Sequence, residues 1–192
     1  IVDAAFLQAA LFTIIFSMLV TFLSLGIALL LAVKANEVIK GASAYKTTLM
    51  WAYAIAPPVA GLMGNLMFHP LIGDLYKFFN AIGWDFDHKL DSFDAGFVVV
   101  LIAVWKQVSV NFIFFLSGLQ GISKAVNEAA MMDCKSPTRR FWTITFPLLA
   151  PTTFFLMVIN ITYAFFETFG IIDTTTGGSP GGSTNTLVYK VF

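Results

Sequence analysis

Charge is what this chain has least of. Lys, Arg, Asp and Glu make up 11% of its 192 residues, against roughly a quarter in an ordinary soluble domain. Hydrophobic residues fill 58% of positions, so a water-facing shell cannot be built from the remainder, and the composition is that of a membrane protein. Eleven basic residues balance eleven acidic ones, which leaves no net field to draw in nucleic acid. One cysteine, Cys134, excludes an internal disulfide and any multi-cysteine metal site, and two isolated histidines, His69 and His88, make no ligand cluster. No GxxxxGK[ST] phosphate loop occurs, so the chain carries no residues for ATP hydrolysis. Nor does any nucleophile, base and oxyanion-donor set suggest an enzyme. The sequence opens IVDAAF with no basic region before its first apolar run, unlike a signal peptide. Both ends read as the edges of a fragment with further spans on either side.

What is present is apolar length. A helix needs about 20 largely apolar residues to cross a hydrocarbon core of about 30 Å. Four stretches qualify: 4–33, 47–68 with Pro57-Pro58 near its middle, 95–122 interrupted by Lys106, and 148–172 interrupted by Glu167. The expected fold class is all-α, a polytopic membrane helical bundle. The carbonyls freed by Pro57-Pro58 need partners from neighbouring helices, side chains or water. Lys34, Lys40, Lys46, Lys124, Lys135, Arg139 and Arg140 fall in the 34–46 and 123–147 loops, against Lys77, Lys89 and Lys190 on the other side. The excess places the 123–147 loop in the cytoplasm. The tail TTTGGSPGGSTNT, residues 174–186, reads as a flexible external loop.

The 127–151 interval, NEAAMMDCKSPTRRFWTITFPLLAP, is the most polar part of the chain. Ser123 can cap a short helix KAVNEAAMMD. After a break at Cys134-Lys135, Ser136-Pro137 can cap and start another. Pro147 and Pro151 mark re-entry into the membrane.

Ionisable groups inside membrane spans are costly and point to function. Lys106 lies about 17 Å along its helix from the external end at 1.5 Å per residue. It reads either as a carbonyl-bonded or ion-paired structural lysine or as a contact for an anionic solute. Asn160, Tyr163 and Glu167 share one helical face within about 60°, and Gln107 and Asn111 form a second polar edge. Both sets suit either interhelical hydrogen bonding or the lining of a pathway. Rise per residue sets Glu167 about 10 Å from the level of Lys106, too far for a direct ion pair. An ion-coupled secondary transporter, with Lys106 or Glu167 carrying protons, and a membrane-assembly subunit without a pathway are the competing readings.

In the polar interval, Glu128, Ala129 and Ala130, then Cys134 after three residues, then Ile144 and Pro147 resemble the loop that defines permease subunits of binding-protein-dependent ATP-binding-cassette (ABC) importers. The flanking WKQVSVNFIFFLSGLQGI and FPLLAPTTFFLMVINITYAFFETFGIID are similar to the permeases for sn-glycerol 3-phosphate within that family, with sugar or oligosaccharide permeases as the alternative. The resemblance implies the type I importer permease fold in the bacterial cytoplasmic (inner) membrane, with this chain supplying the second to fifth of six spans. It implies four kinds of partner: a second permease, two ATPase subunits that bind the ATP and Mg, a periplasmic solute-binding protein, and membrane lipid. It assigns Glu128, Ala129, Ala130, Asp133, Cys134, Ile144 and Pro147 to ATPase coupling, through a coupling helix seated in a groove of the ATPase. The 69–94 and 173–192 loops become candidates for contact with the binding protein. The family pattern has Gly where this chain has Cys134, and Leu where it has Phe146. A left-handed turn at Cys134 costs a non-Gly residue roughly 1–2 kcal/mol, so that turn is either strained or built differently.

Overall fold

The uncharged first stretch has no proline and a single glycine, Gly26, and it forms one long helix, α1 (Ala4–Glu37). The computed structural model describes residues 4–37, 42–134 and 136–191, and all regular structure among them is helical. Lys40 and Lys135, two of the basic loop residues, lie outside the described residues. The third stretch forms α5 (Ser92–Gly121), started by Asp91, whose carboxylate accepts from the Phe93 N–H at 2.7 Å. These two helices are long and apolar enough to cross a membrane.

The other two stretches are broken. The second is α2 (Ala42–Ala54) and α3 (Pro57–Met67), not one helix over 47–68. Pro57 and Pro58 cannot donate to the carbonyls four residues back, and the residue before a proline avoids helical angles; Ala56 sits at φ −60°, ψ 142°. The fourth is α9 (Ala150–Phe166) and α10 (Phe169–Thr175), so it stops at Phe166 and restarts before reaching Ile172.

Between α5 and α9 the chain forms α6 (Lys124–Asp133), α7 (Pro137–Arg140), a π-helical turn (Phe141–Thr145) and α8 (Phe146–Leu148). Ser123 caps α6 by accepting from the Val126 N–H at 3.3 Å. Ser136 precedes Pro137 but makes no side-chain cap, since Pro at the first position removes one of the donors it could serve. The π turn has a local cause. Pro147 has no N–H for the Thr143 carbonyl, and just ahead of it the Phe146 N–H reaches five residues back to Phe141 O. The arm Pro137–Leu148 meets α9 at 69°.

The core forms where α1 and α5 pack along their length, with α9 against α1 and α2 against α5. Phe16, Val20, Ala28 and Ala32 of α1 and Val98, Val99, Ala103 and Phe112 of α5 are buried there. Small residues let the backbones approach. The outward faces of α1 and α9 expose Leu11, Phe22, Leu30 and Phe154, as lipid-facing surface requires.

The short α4 (Asp74–Ala81) and the segment after it build an aromatic cap whose Phe79 and Trp84 rings meet Phe97 of α5. Phe79 stacks on Phe86 at 5.3 Å between ring centres, and Phe86 lies 6.1 Å from the His88 ring. His88 is buried, and neither ring nitrogen has a partner. Burial pushes its pKa below the ordinary 6.5, helped by Lys89 and opposed by Asp87.

The Gly-rich 174–186 segment is a folded turn instead of a flexible loop. Gly177, Gly178, Gly181 and Gly182 all take positive φ, which glycine adopts at no steric cost. The Thr176 and Thr184 hydroxyls meet at 2.9 Å, Thr184 is buried, and the Leu187 N–H donates to Thr13 Oγ1 at 2.9 Å, tying α11 (Leu187–Val191) to α1.

Candidate functional site

Both helix breaks border one open cavity of about 780 Å³. Ile55, Ala56 and Pro57 line it from the α2/α3 break, Tyr163 and Glu167 from the end of α9, and Lys106 and Gln107 from the middle of α5. The Lys106 ammonium, on a buried side chain, donates to the Ile55 carbonyl oxygen. The mid-span lysine therefore supplies a partner at the proline break, one residue past the Tyr53 and Ala54 carbonyls that Pro57 and Pro58 cannot serve.

Glu167 caps α9, its N–H donating to Tyr163 O at 2.9 Å, and its side chain is exposed. Among the described residues no ion pair joins it to Lys106, as the rise along the helices requires. Tyr163 is buried and its hydroxyl meets no protein partner. The cavity thus holds an ammonium, a carboxylate, an amide and a phenol, with Thr162 and Tyr53 on its wall. Such a set can hold a small polar or anionic solute, and no nucleophile and base sit together in it.

Asn111 and Asn160 belong elsewhere. Both are fully buried and absent from the cavity wall. Asn160 Nδ2 donates to Asn111 Oδ1 at 2.8 Å, and Asn111 Nδ2 donates to Asn160 Oδ1 at 3.0 Å. Ser24 Oγ donates to Asn160 Oδ1 at 2.9 Å and accepts from Asn111 Nδ2 at 3.1 Å. The three side chains clasp α1, α5 and α9. The stripe read as one polar face of α9 divides between a satisfied interhelical contact at Asn160 and the cavity at Tyr163 and Glu167. The signal missed in the sequence is the matching stripe on α1: Thr13, Ser17, Thr21 and Ser24, all buried, recur at helical spacing.

Beyond the breaks, α3 and α10 are bolted together. Thr174 Oγ1 donates to Pro58 O at 3.0 Å, Thr175 Oγ1 to Gly61 O at 3.2 Å, and Asn65 Nδ2 to Thr174 O at 3.3 Å. A Cβ at Gly61 would collide with Thr174 Oγ1 and lie 2.8 Å from the Ile171 carbonyl oxygen.

The remaining candidates sit away from the cavity. Glu128, Ala129 and Asp133 are exposed on α6, Ala130 is buried, and Cys134 follows at φ −129°, ψ 105°. Cys134 is therefore in extended backbone, free of the left-handed strain that the missing glycine implied. Ile144 lies in the π turn and Pro147 in α8. Among the described residues no group of three metal-ligating side chains occurs.

No protein-family model matches the chain. Two solved structures share its fold over 98% of its length. One, of a bacterial ABC transporter involved in import of the acidic polysaccharide alginate, has a TM-score of 0.81, 22% identity and 67% of its chain covered. The other, of a bacterial alginate ABC transporter in complex with an alginate pentasaccharide-bound periplasmic protein, has a TM-score of 0.80, 23% identity and 66% covered. The bundle with its two broken helices therefore has the fold of these ABC transporter chains. In sequence the chain is similar to the sn-glycerol-3-phosphate transport system permease protein UgpA: 50% identical over 190 residues to that of Rhizobium meliloti (strain 1021), 50% to that of Brucella suis biovar 1, and 42% to that of Yersinia enterocolitica. Each alignment covers 99% of this chain, which spans about 65% of the Rhizobium and Brucella proteins and 64% of the Yersinia protein.

Proposed function

We propose that this chain is the body of a permease subunit that, with a second permease, forms the path for sn-glycerol 3-phosphate across the bacterial cytoplasmic (inner) membrane. The observation that carries this reading is the 50% identity to sn-glycerol-3-phosphate permeases over nearly the whole chain. A cavity bordered by a buried lysine supports it, because a phosphate monoester needs a cation where water is scarce.

The chain crosses the membrane several times, with the stretches around α1, α2–α3, α5 and α9–α10 as its spans. The α6 arm faces the cytoplasm, where basic residues gather. The exposed Glu128 and Ala129 seat α6 in a groove of one of two ATPase subunits, which bind the ATP and Mg. A periplasmic solute-binding protein delivers solute to the opposite face, near the aromatic cap and the 174–186 turn. Closure of the ATPase pair moves α6, and the permease pair alternates between outward and inward access around the cavity. No covalent step is required.

A neutral sugar is the second reading, favoured by the hydroxyl and amide groups of Tyr53, Gln107, Thr162 and Tyr163 on the same wall. Uptake of labelled sn-glycerol 3-phosphate by the assembled complex, in competition with glycerol and maltose, separates the two. Lys106→Met is expected to reduce phosphate-ester uptake at least about tenfold, the effect of losing one charge-assisted hydrogen bond. Equal loss for a neutral sugar would remove the anionic assignment.

A further inference from the structure

Lys106 is in two places at once. Its ammonium donates to the Ile55 carbonyl at the break between α2 and α3, and its side chain also lines the cavity. A solute anion in the cavity can draw the ammonium away from that carbonyl, because a charged acceptor holds an N–H more strongly than a neutral one. The two breaks, at Ile55-Ala56 and at Glu167-Thr168, both border the cavity. Past them, α3 and α10 are tied to each other by three side-chain to backbone hydrogen bonds and by the close approach at Gly61 and Gly170. The pair also packs on α5, and α10 on α11, so it can turn as one body by sliding on those faces, with the φ/ψ change absorbed at the breaks.

We propose that Lys106 is a latch that makes the permease respond to anionic solute: it fixes the α2/α3 break through the Ile55 carbonyl, and the solute's anionic group draws it off, freeing the α3–α10 pair to swing. This rests on the reading of the cavity as the solute path. It assigns Lys106 a positioning role in addition to contact with the solute. A neutral molecule of the same size leaves the Lys106 to Ile55 bond in place, so the outer segments stay fixed even when the cavity is filled. Discrimination then lies in the hinge as well as in affinity.

The test uses the full-length permease in its complex, reconstituted in lipid, with Cys134→Ser and spin labels at Met50→Cys on α2 and Leu62→Cys on α3. Both sites are exposed and they flank the break. The inter-label distance is measured without solute, with sn-glycerol 3-phosphate and with glycerol. The phosphate ester is expected to raise the population of a second distance about tenfold, the effect of one charge-assisted hydrogen bond, and glycerol to leave it unchanged. Lys106→Met is expected to show that second distance without solute, and Lys106→Arg to restore the wild-type response. In parallel, protection of Gln107→Cys from a thiol reagent by sn-glycerol 3-phosphate reports whether solute occupies the cavity. Protection with an unchanged distance overturns the latch and leaves the pathway standing. Absence of protection in a transporting complex overturns both. If Lys106→Met does not assemble, a wild-type distance that responds equally to glycerol and to the phosphate ester also overturns the latch.

Discussion

Replacing Asn111 and Asn160 singly and together by Leu, a residue of similar size, tests whether the clasp joining α1, α5 and α9 holds the bundle. The clasp contains four interhelical hydrogen bonds. Asn111→Leu removes those to Ser24 and both of those exchanged with Asn160. Asn160→Leu likewise removes three, leaving only the one from Asn111 to Ser24. Interhelical hydrogen bonds in membrane proteins stabilise by about 0.6 kcal/mol each, so each single change should cost about 1.8 kcal/mol and the double change about 2.4 kcal/mol. The two bonds exchanged between the asparagines are counted in both singles, which gives a coupling of about 1.2 kcal/mol, above the roughly 0.3–0.5 kcal/mol scatter of additive sites. Reversible unfolding of the full permease in mixed micelles, analysed as a double-mutant cycle, measures it. A coupling within that scatter would refute the clasp as a cooperative unit. Because neither asparagine lines the cavity, assembled variants should keep wild-type solute preference, and a changed preference would return these residues to the pathway.

Three further outcomes are expected. Gly61→Ala should destabilise by about 2 kcal/mol or more through overpacking against the Ile171 carbonyl, whereas Gly26→Ala, with open space around its Cβ, should be neutral or slightly stabilising; thermal melts of the two variants decide. His88 has a lowered pKa when folded, so the unfolded state binds the proton more readily; stability is full above 6.5 and falls as pH drops from there through the folded value. Melts across pH should show this acid loss and should show it weakened in His88→Leu. Glu128→Lys should leave membrane insertion intact but abolish stimulation of the partner's ATP hydrolysis by solute-loaded binding protein, read as phosphate release; undiminished stimulation would remove α6 from coupling.

Much of the bundle was legible because membrane helices need long apolar runs, as α1 and α5 show, and Ser123 marked the start of α6; the Asp91 cap, which starts α5 at Ser92 and not at 95, went unread. The breaks were partly legible. Pro57-Pro58 announced one, but only the third dimension brings Lys106 to the Ile55 carbonyl, 51 residues away. Nothing as explicit as proline marks the second break at Glu167, where the chain turns so that α10 can pack on α3. The site divided for the same reason: Asn160 and Tyr163 share a face by helical period, and that period cannot say which neighbour each meets. The hydroxyl ladder on α1 matches the clasp in register, a relation visible only once α1 and α9 are set side by side. Glycines 177–182 looked like slack chain because composition reports freedom, whereas their positive φ angles show that freedom used to fold a turn.

The 69° elbow between the Pro137–Leu148 arm and α9 sets the direction in which force can travel. On the proposed coupling role, an arm lying across the end of α9 would move it like a crank: a sideways shift at the rim would become a tilt of α9, largest at the far end where α9 gives way to α10. A straight continuation would have transmitted the same shift as a simple slide along the bilayer, leaving the angle between the spans unchanged.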